Sequence, residues 1–183
     1  MPILPTEPDL HPRHTWPSDL PGGGRWWCLH TKPRQEKAVA RELRDRDACF
    51  YLPTLLRDSV TPRGRRLRSS LPLFPGYVFL HGLDEERRLA LHGNRIVNIL
   101  DVADQPAFDQ DLRRIHRLLD SGLLVVPETG VPPGAGVRIT SGPLAGLEGT
   151  VVKQGRNHRF VVLVRFLGRG ANVDLLDWQI EPI

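Results

Sequence analysis

A break in composition near the middle of the chain most constrains how these 183 residues can fold. The stretch GLLVVPETGVPPGAG, residues 122–136, has four glycines and three prolines among fifteen residues. Proline and glycine end helices, and proline also interrupts strand pairing, so neither kind of element should continue through this stretch. We therefore predict two domains, joined by a flexible linker over residues 122–133.

Before the break, strand patterns alternate with helix patterns. The expected elements are a strand at 26–30, a helix at 33–46 capped by Thr31, strands at 49–56 and 72–80 around a polar hairpin at 61–68, a helix at 84–91, a strand at 95–100 and a helix at 108–119. This order is typical of an α+β sandwich of the split-βαβ type, in which helices pack on one face of a sheet.

After the break, the pattern is all β. Five short apolar segments separated by glycine turns follow one another over residues 134–183, which predicts a small barrel. Each glycine in a helix interior would cost about 1 kcal/mol, so we expect this part to form strands constitutively. At the other end of the chain, residues 1–24 contain six prolines without apolar periodicity and are expected to form a disordered tail.

Charge and motif content exclude several classes of protein. The formal net charge is +4, the pI is about 9.6, and the basic excess lies in residues 25–121, which favours a nucleic-acid contact. No apolar run approaches the ~20 residues of a membrane span, so a cytoplasmic protein is expected. The chain has only two cysteines, and nucleotide-binding and hydrolase motifs are absent. We expect no catalytic residues, no metal and no cofactor.

Seven short motifs, in this order, resemble a known family. LHTKPR (29–34), FYLPT (50–54), PLFPGYVF (72–79) and RIVNIL (95–100) resemble the NGN domain of the NusG transcription-elongation factors. GVRITSGPLAGLEGTVV (136–152), FLGR (166–169) and IEPI (180–183) resemble the KOW domain of that family. The resemblance implies an NGN domain over 25–121 and a KOW domain over 134–183, so that only the tail and the linker lie outside the two domains.

The resemblance implies a function in transcription and no enzymatic activity. NusG-type proteins dock their NGN domain on the clamp helices of the largest RNA polymerase subunit, and they touch the non-template DNA strand. Their KOW domain recruits a second partner, either the termination factor Rho or a small-subunit ribosomal protein. By this resemblance we expect a monomer that modulates pausing, antitermination or termination.

The polymerase-binding residues are expected to be apolar. Tyr77 and Phe79 are two residues apart in a strand, so their side chains share one face of the sheet. The resemblance makes that face the clamp-binding surface and predicts a partly exposed aromatic patch. The alternative is that Tyr77 and Phe79 are core residues. The complete expected set is Trp26, Phe74, Tyr77, Phe79, Ile115 and Leu118.

Basic residues and a second turn complete the expected sites. Phosphate and stacking contacts to single-stranded DNA are assigned to Lys32, Arg34, Arg65, Arg66, Arg68 and Arg95, with solvated surface residues as the alternative. In the KOW domain, a large apolar side chain at a turn is poorly explained by packing. The resemblance implies that this turn binds the second partner through Phe166, Leu167 and Arg169, with a core position as the alternative for Phe166.

Two further questions concern the type of protein. The arginine-rich hairpin, the short NGN domain and PLAGLEG resemble specialised antiterminator paralogues more than the housekeeping factor. One specialised branch, the RfaH type, refolds its KOW domain as a helical hairpin, and the glycines argue against that switch here. A KOW-containing ribosomal or RNA-binding protein is the alternative function, although such a protein would not need Tyr77 and Phe79.

Overall fold

The chain divides into two compact units, Met1–Gln105 and Pro106–Ile183. The computed structural model describes residues 9–60, 62, 64, 66–129, 134–154, 157–175 and 180–183. Among these residues, no helix is long and apolar enough to cross a membrane.

The first unit is built on an antiparallel sheet. Its elements are β1 (Leu10–His11), a 3-10 helix (Pro17–Asp19), β2 (Arg25–Thr31), α1 (Glu36–Asp45), β3 (Cys49–Tyr51), β4 (Thr54–Val60), β5 (Arg66–Pro72), β6 (Tyr77–Gly82), α2 (Asp84–Leu91) and β7 (Ile96–Asp101). Five strands form the sheet in the order β1-β3-β6-β2-β7, and β4 and β5 pair separately as a hairpin. The expected α+β sandwich and its polar hairpin are therefore confirmed.

One face of this sheet is covered by the two helices. Trp27 and Leu29 from β2 and their cross-strand neighbours on β6 form a buried cluster with Val39 and Leu43 of α1 and Ala90 of α2. The alternation of side chains along a strand sends every second residue to this face. The residues between them, including Trp26 and Phe79, must therefore lie on the opposite face.

The first helix begins later than the sequence predicted. We expected it to start at Pro33 with Thr31 as its cap, but it starts at Glu36, and Thr31 is the last residue of β2. The reason is Arg34, whose φ of 62° lies in the left-handed region and cannot continue a right-handed helix. A positive φ at a non-glycine residue leaves no periodic signal in the sequence.

The expected disordered tail is wrong for residues 10–19. β1 pairs with β3, matching Leu10 to Tyr51, and the 3-10 helix follows Trp16 directly. Leu10 and Trp16 are each more than 90% buried, although the segment is rich in proline and histidine. Two buried side chains six residues apart form no helical or strand period, so the composition gave no sign of this structure.

The second unit consists of a helix and an antiparallel sheet. Its elements are α3 (Gln105–Asp120, whose first residue belongs to the first unit), β8 (Val126–Thr129), β9 (Ala135–Ile139), β10 (Glu148–Gln154), β11 (Asn157–Val164), a 3-10 helix (Arg165–Leu167), β12 (Arg169–Leu175) and β13 (Ile180–Pro182). The sheet order is β13-β9-β10-β11-β12-β8. Apart from the 3-10 turn, the regular structure described over residues 134–183 is β, which confirms the all-β C-terminal part.

The linker prediction needs a correction at its centre. We expected residues 122–133 to be flexible, but β8 pairs with β12 through four residues of that stretch. Val126 lies opposite Asn172, and Pro127 lies opposite Ala171. Pro127 is tolerated because β8 is an edge strand of this sheet. Residues 130–133 of the predicted linker lie outside the described residues.

A buried carboxylate connects α3 to the turn after β11. Asp111 is 2% exposed and accepts hydrogen bonds from the backbone N–H of Arg165 at 3.0 Å and from its Nε and Nη2 at 3.1 Å. Arg114 adds a contact to the same carboxylate at 3.3 Å. Several charge-assisted hydrogen bonds to one buried acceptor fix the turn relative to the helix.

We predict that Asp111→Ala lowers the free energy of unfolding by about 1–3 kcal/mol, because it removes the buried carboxylate that accepts hydrogen bonds from Arg165. Asp109→Ala is the matched control on the same helix, because Asp109 forms a partly exposed pair with Arg113 that should contribute under about 1 kcal/mol. Hydrogen exchange at the Arg165 amide measures the local effect. Equal exchange in both variants would contradict this role for Asp111.

Candidate functional site

A tight turn positions the start of β6. The Phe74 carbonyl accepts the N–H of Tyr77 at 3.1 Å, with Pro75 and Gly76 between them and a φ of 87° at Gly76. Proline followed by a residue of positive φ is the signature of a type II turn. The buried Glu36 accepts the Gly76 N–H at 2.6 Å, so the first turn of α1 anchors this bend. The two residues that seem to break the strand thus determine where it begins.

The second face of the first sheet carries an aromatic cluster. We call it the aromatic face and define it by Trp26, Tyr51, Phe74, Tyr77 and Phe79. Cross-strand partners share a face, and Phe79 lies opposite both Tyr51 and Cys28. Phe74 packs edge-on against Phe79, with ring centroids 5.9 Å apart. The expectation that Tyr77 and Phe79 point the same way therefore agrees with the strand register.

The expected exposure of this patch is wrong for most of its members. Trp26, Phe74 and Phe79 are at most 1% exposed, and only Tyr77 is half-buried. Tyr77 stacks on His30 with ring centroids 5.2 Å apart. Trp16 contributes to the burial of two rings of this face, because its ring centroid lies 5.8 Å from that of Trp26 and 5.2 Å from that of Tyr51. Strand pairing alone does not predict this neighbour.

The centre of the aromatic face is apolar enough to suppress ionisation. Cys28, the cross-strand neighbour of Phe79, is fully buried, and burial raises the pKa of its thiol to about 12. Cys49, near the edge of the same sheet, has its pKa raised by partial burial and by the carboxylates of Asp47 and Glu86. Neither thiol is therefore activated as a nucleophile.

The remaining predicted polymerase-binding residues are on α3. Ile115 and Leu118 are both fully buried in the second unit. Their spacing of three residues places them on one side of the helix.

The predicted nucleic-acid residues fall into two groups. Lys32 and Arg95 are adjacent, because the Lys32 N–H donates to the Arg95 carbonyl at 2.8 Å, and the Lys32 ammonium contacts Asn94 Oδ1 at 3.4 Å. The Arg95 guanidinium is engaged by Glu42 at 2.6 Å and by Gln35. Arg34 is exposed. In the hairpin group, the backbones of Arg66 and Arg68 lie in β5, and Arg65 lies outside the described residues.

The predicted partner-binding turn follows β11. Phe166 lies in the 3-10 helix and is 41% exposed, with its ring edge-on to Phe108 of α3 at 5.6 Å. Leu167 is half-buried, and Arg169 is the first residue of β12. Gly168 closes the turn with a φ of 58°. Phe166 is therefore not a fully buried core residue, although one side of its ring packs on α3.

No group of three or more His, Cys, Asp or Glu side chains that could hold a metal ion occurs in the part of the chain that the structure describes.

Comparison with known proteins decides the family. The family model described as "Transcription termination factor nusG" matches residues 24–115, half of the chain. The chain belongs to the NusG family. Proteins described as "Transcription termination/antitermination protein NusG" match over nearly their whole length. The chain is 28% identical to the Pseudomonas aeruginosa protein over 174 residues, which are 87% of this chain and 98% of the relative. It is 28% identical to the Escherichia coli protein over 172 residues, which are 86% of this chain and 95% of the relative.

A solved structure described as "Domain interaction in Thermotoga maritima NusG" aligns with 87% of this chain and 97% of its own, at 22% identity and a TM-score of 0.46. Membership of the NusG family makes the chain a transcription factor and not an enzyme, as the resemblance implied. The matched residues 24–115 include every strand of the first sheet except β1. The alternative of a ribosomal or RNA-binding protein is not favoured.

We predict that the carboxylate of Glu36 determines the stability of the turn before Tyr77. Glu36→Ala should lower the free energy of unfolding by about 1–3 kcal/mol, because the Gly76 N–H loses its acceptor. Glu36→Gln is the matched control, since its amide oxygen can accept the same hydrogen bond. Urea denaturation of the three proteins measures the difference, and equal losses in both variants would show that the hydrogen bond does not matter.

Proposed function

We propose that this chain is a transcription factor that docks its aromatic face on the clamp helices of RNA polymerase and modulates pausing, antitermination or termination. The observation that carries the proposal is the NusG family match over residues 24–115, which contains the turn and strand that present Tyr77. The family binds RNA polymerase. The curated relatives are described as termination/antitermination proteins, which supports the same class of function here.

Tyr77 is the residue best placed for first contact with the polymerase. It is the member of the aromatic face that is only half-buried, and its ring is supported by His30. A rigid aromatic ring that is backed by a second ring loses little conformational entropy on binding, which is typical of interface anchors. Trp26, Phe74 and Phe79 then form the apolar floor behind it, and Ile115 and Leu118 on α3 are proposed to contribute to the same docking.

The basic residues support a second contact, with the non-template DNA strand. Lys32 and Arg34 are exposed, and they lie on the connection between β2 and α1. The guanidinium of Arg95 is engaged by Glu42, so we propose that Arg95 orients this connection as well as adding positive charge. Arg65, Arg66 and Arg68 are proposed to extend the same contact along the hairpin.

The second unit is proposed to recruit Rho or a small-subunit ribosomal protein through Phe166, Leu167 and Arg169. The partial exposure of Phe166 at a turn supports this assignment.

We also propose that the chain is a specialised antiterminator rather than the housekeeping factor. The arginine-rich hairpin and the motif PLAGLEG support this proposal. Genome-wide polymerase-association profiling of the tagged protein distinguishes the two, because a specialised factor occupies few operons.

We predict that Tyr77→Ala abolishes most binding to purified RNA polymerase, because it removes the exposed anchor of the docking face. Loss of a central aromatic anchor typically costs about 2 kcal/mol or more, which is about thirtyfold in affinity. Leu91→Ala is the matched control, since Leu91 is an exposed apolar residue at the end of α2. Equal affinity of the wild type and Tyr77→Ala in a binding titration would contradict the docking face.

We predict that the double variant Lys32→Gln/Arg34→Gln binds single-stranded DNA with a weaker dependence on salt. Each lost phosphate contact lowers the slope of log affinity against log salt concentration by about 0.7. Arg88→Gln, an exposed basic residue on α2, is the control. A slope unchanged in the double variant would place the DNA contact elsewhere.

A further inference from the structure

Residues 9–20 cover one end of the aromatic face. We call this segment the N-terminal strap. Its Trp16 is 8% exposed and packs edge-on against Tyr51 and at a tilt against Trp26. Trp26 also contacts His81 edge-on, with ring centroids 5.0 Å apart, and Trp26 itself is 1% exposed. Trp16 therefore covers part of the surfaces of Trp26 and Tyr51.

The strap pairs with the first sheet through a short ladder. β1 contributes only two paired residues, whereas β2 and β6 pair through six. Beyond that short ladder, the Asp9 carbonyl accepts the Leu52 N–H at 2.6 Å, and His11 Nε2 contacts Asp47 Oδ1 at 2.9 Å. Burial of Leu10 and Trp16 is therefore a large part of what holds the strap, and a competing apolar surface can replace it.

The C-terminal end of the strap leads into a glycine hinge. Gly22, Gly23 and Gly24 all have positive φ, of 114°, 72° and 130°. A Cβ added at Gly22 or Gly23 would meet nothing within 4 Å, whereas one added at Gly24 would lie 3.1 Å from Gly82 and from His81. The open space of a hinge is therefore at Gly22 and Gly23. Consecutive glycines without packing constraints can change φ and ψ at low cost, which is what a hinge requires.

The strap is also an addition to the part of the chain that defines the family. The family match begins at residue 24, so the strap, Gly22 and Gly23 all lie before it. The covered rings, by contrast, belong to β2 and β3 inside the matched region. A segment outside the family domain thus covers residues of the predicted docking face.

We propose that the N-terminal strap is an intramolecular cover for the aromatic face, which the apolar helices of RNA polymerase displace on docking. The proposal rests on the proposed function above. In the closed state Trp16 occupies the position of an apolar side chain of the partner, and the half-exposed Tyr77 remains available for first contact. Polymerase binding then opens the strap about Gly22 and Gly23 and exposes Trp26 and Tyr51.

The test compares full-length wild type, Trp16→Ala and Tyr77→Ala in titrations with purified RNA polymerase. If the strap is closed in about nine of ten free molecules, opening it raises the apparent affinity about tenfold. Trp16→Ala should therefore bind about tenfold more tightly than wild type. Arg13→Ala is the matched control, an exposed strap residue whose removal leaves Trp16 packed. Leu10→Ala loosens the other end of the strap and should shift affinity in the same direction.

Hydrogen exchange provides an independent readout. The Asp19 N–H donates to the Trp16 carbonyl at 3.0 Å inside the strap. This amide should exchange faster in the polymerase complex than in the free protein, because the released strap loses its turn. If Trp16→Ala and Leu10→Ala bind no more tightly than wild type and Asp19 exchanges more slowly in the complex, the strap is part of the interface and the proposal is wrong.

The failure of the proposed function gives a different result. In that case the wild type, Trp16→Ala and Tyr77→Ala all fail to bind RNA polymerase, and the strap has no polymerase to exclude. If the wild type binds and Tyr77→Ala does not, the docking function stands whatever Trp16→Ala does. Circular dichroism and thermal unfolding confirm that each variant is folded before its affinity is interpreted.

Discussion

Both faces of the first sheet are apolar, and the rest of the unit depends on covering them. An antiparallel sheet with one wet face alternates apolar and polar residues, but β2 and β6 place large apolar side chains on both sides. α1 and α2 cover the face of Trp27 and Leu29. The opposite face is covered in part by Trp16, a residue from outside the family domain. A large apolar surface left in water is unfavourable, so covering this face contributes to the stability of the unit.

The sequence predicted the order of elements well because those elements carry periodic signals. The stripe of Phe108, Leu112, Ile115 and Leu119 indicated α3, and the consecutive β-branched residues of β11 indicated a strand. The errors have a common physical origin. Arg34 with its positive φ, and the strand β8 next to a proline-rich stretch, are held by backbone geometry and pairing partners distant in sequence. Neither leaves a local pattern that propensity rules can detect.

The sequence predicted which face of the sheet carries the candidate site, but it did not predict how exposed the side chains on that face are. Strand alternation alone places Tyr77 and Phe79 on one face, and the Pro75-Gly76 turn fixes which face it is. Whether a ring is exposed depends on what else covers it, and Trp16 is some ten residues before β2 in a segment without periodicity. The anchoring carboxylates Glu36 and Asp111 were missed for a similar reason. Each lies on an amphipathic helix, where a buried acid looks like any other polar residue until its partners are known.

The sheet order has a consequence for the way the chain is made. The strap is synthesised before β3 and β6, yet among the described residues β1 pairs only with β3, and β3 reaches the rest of the sheet only through β6. Synthesis therefore has to pass Gly82 before the strap has a complete surface to close upon. Until then Trp16 is an exposed apolar side chain on a nascent chain, free to meet other partners. The strap thus completes its packing only after strands that are synthesised later have formed.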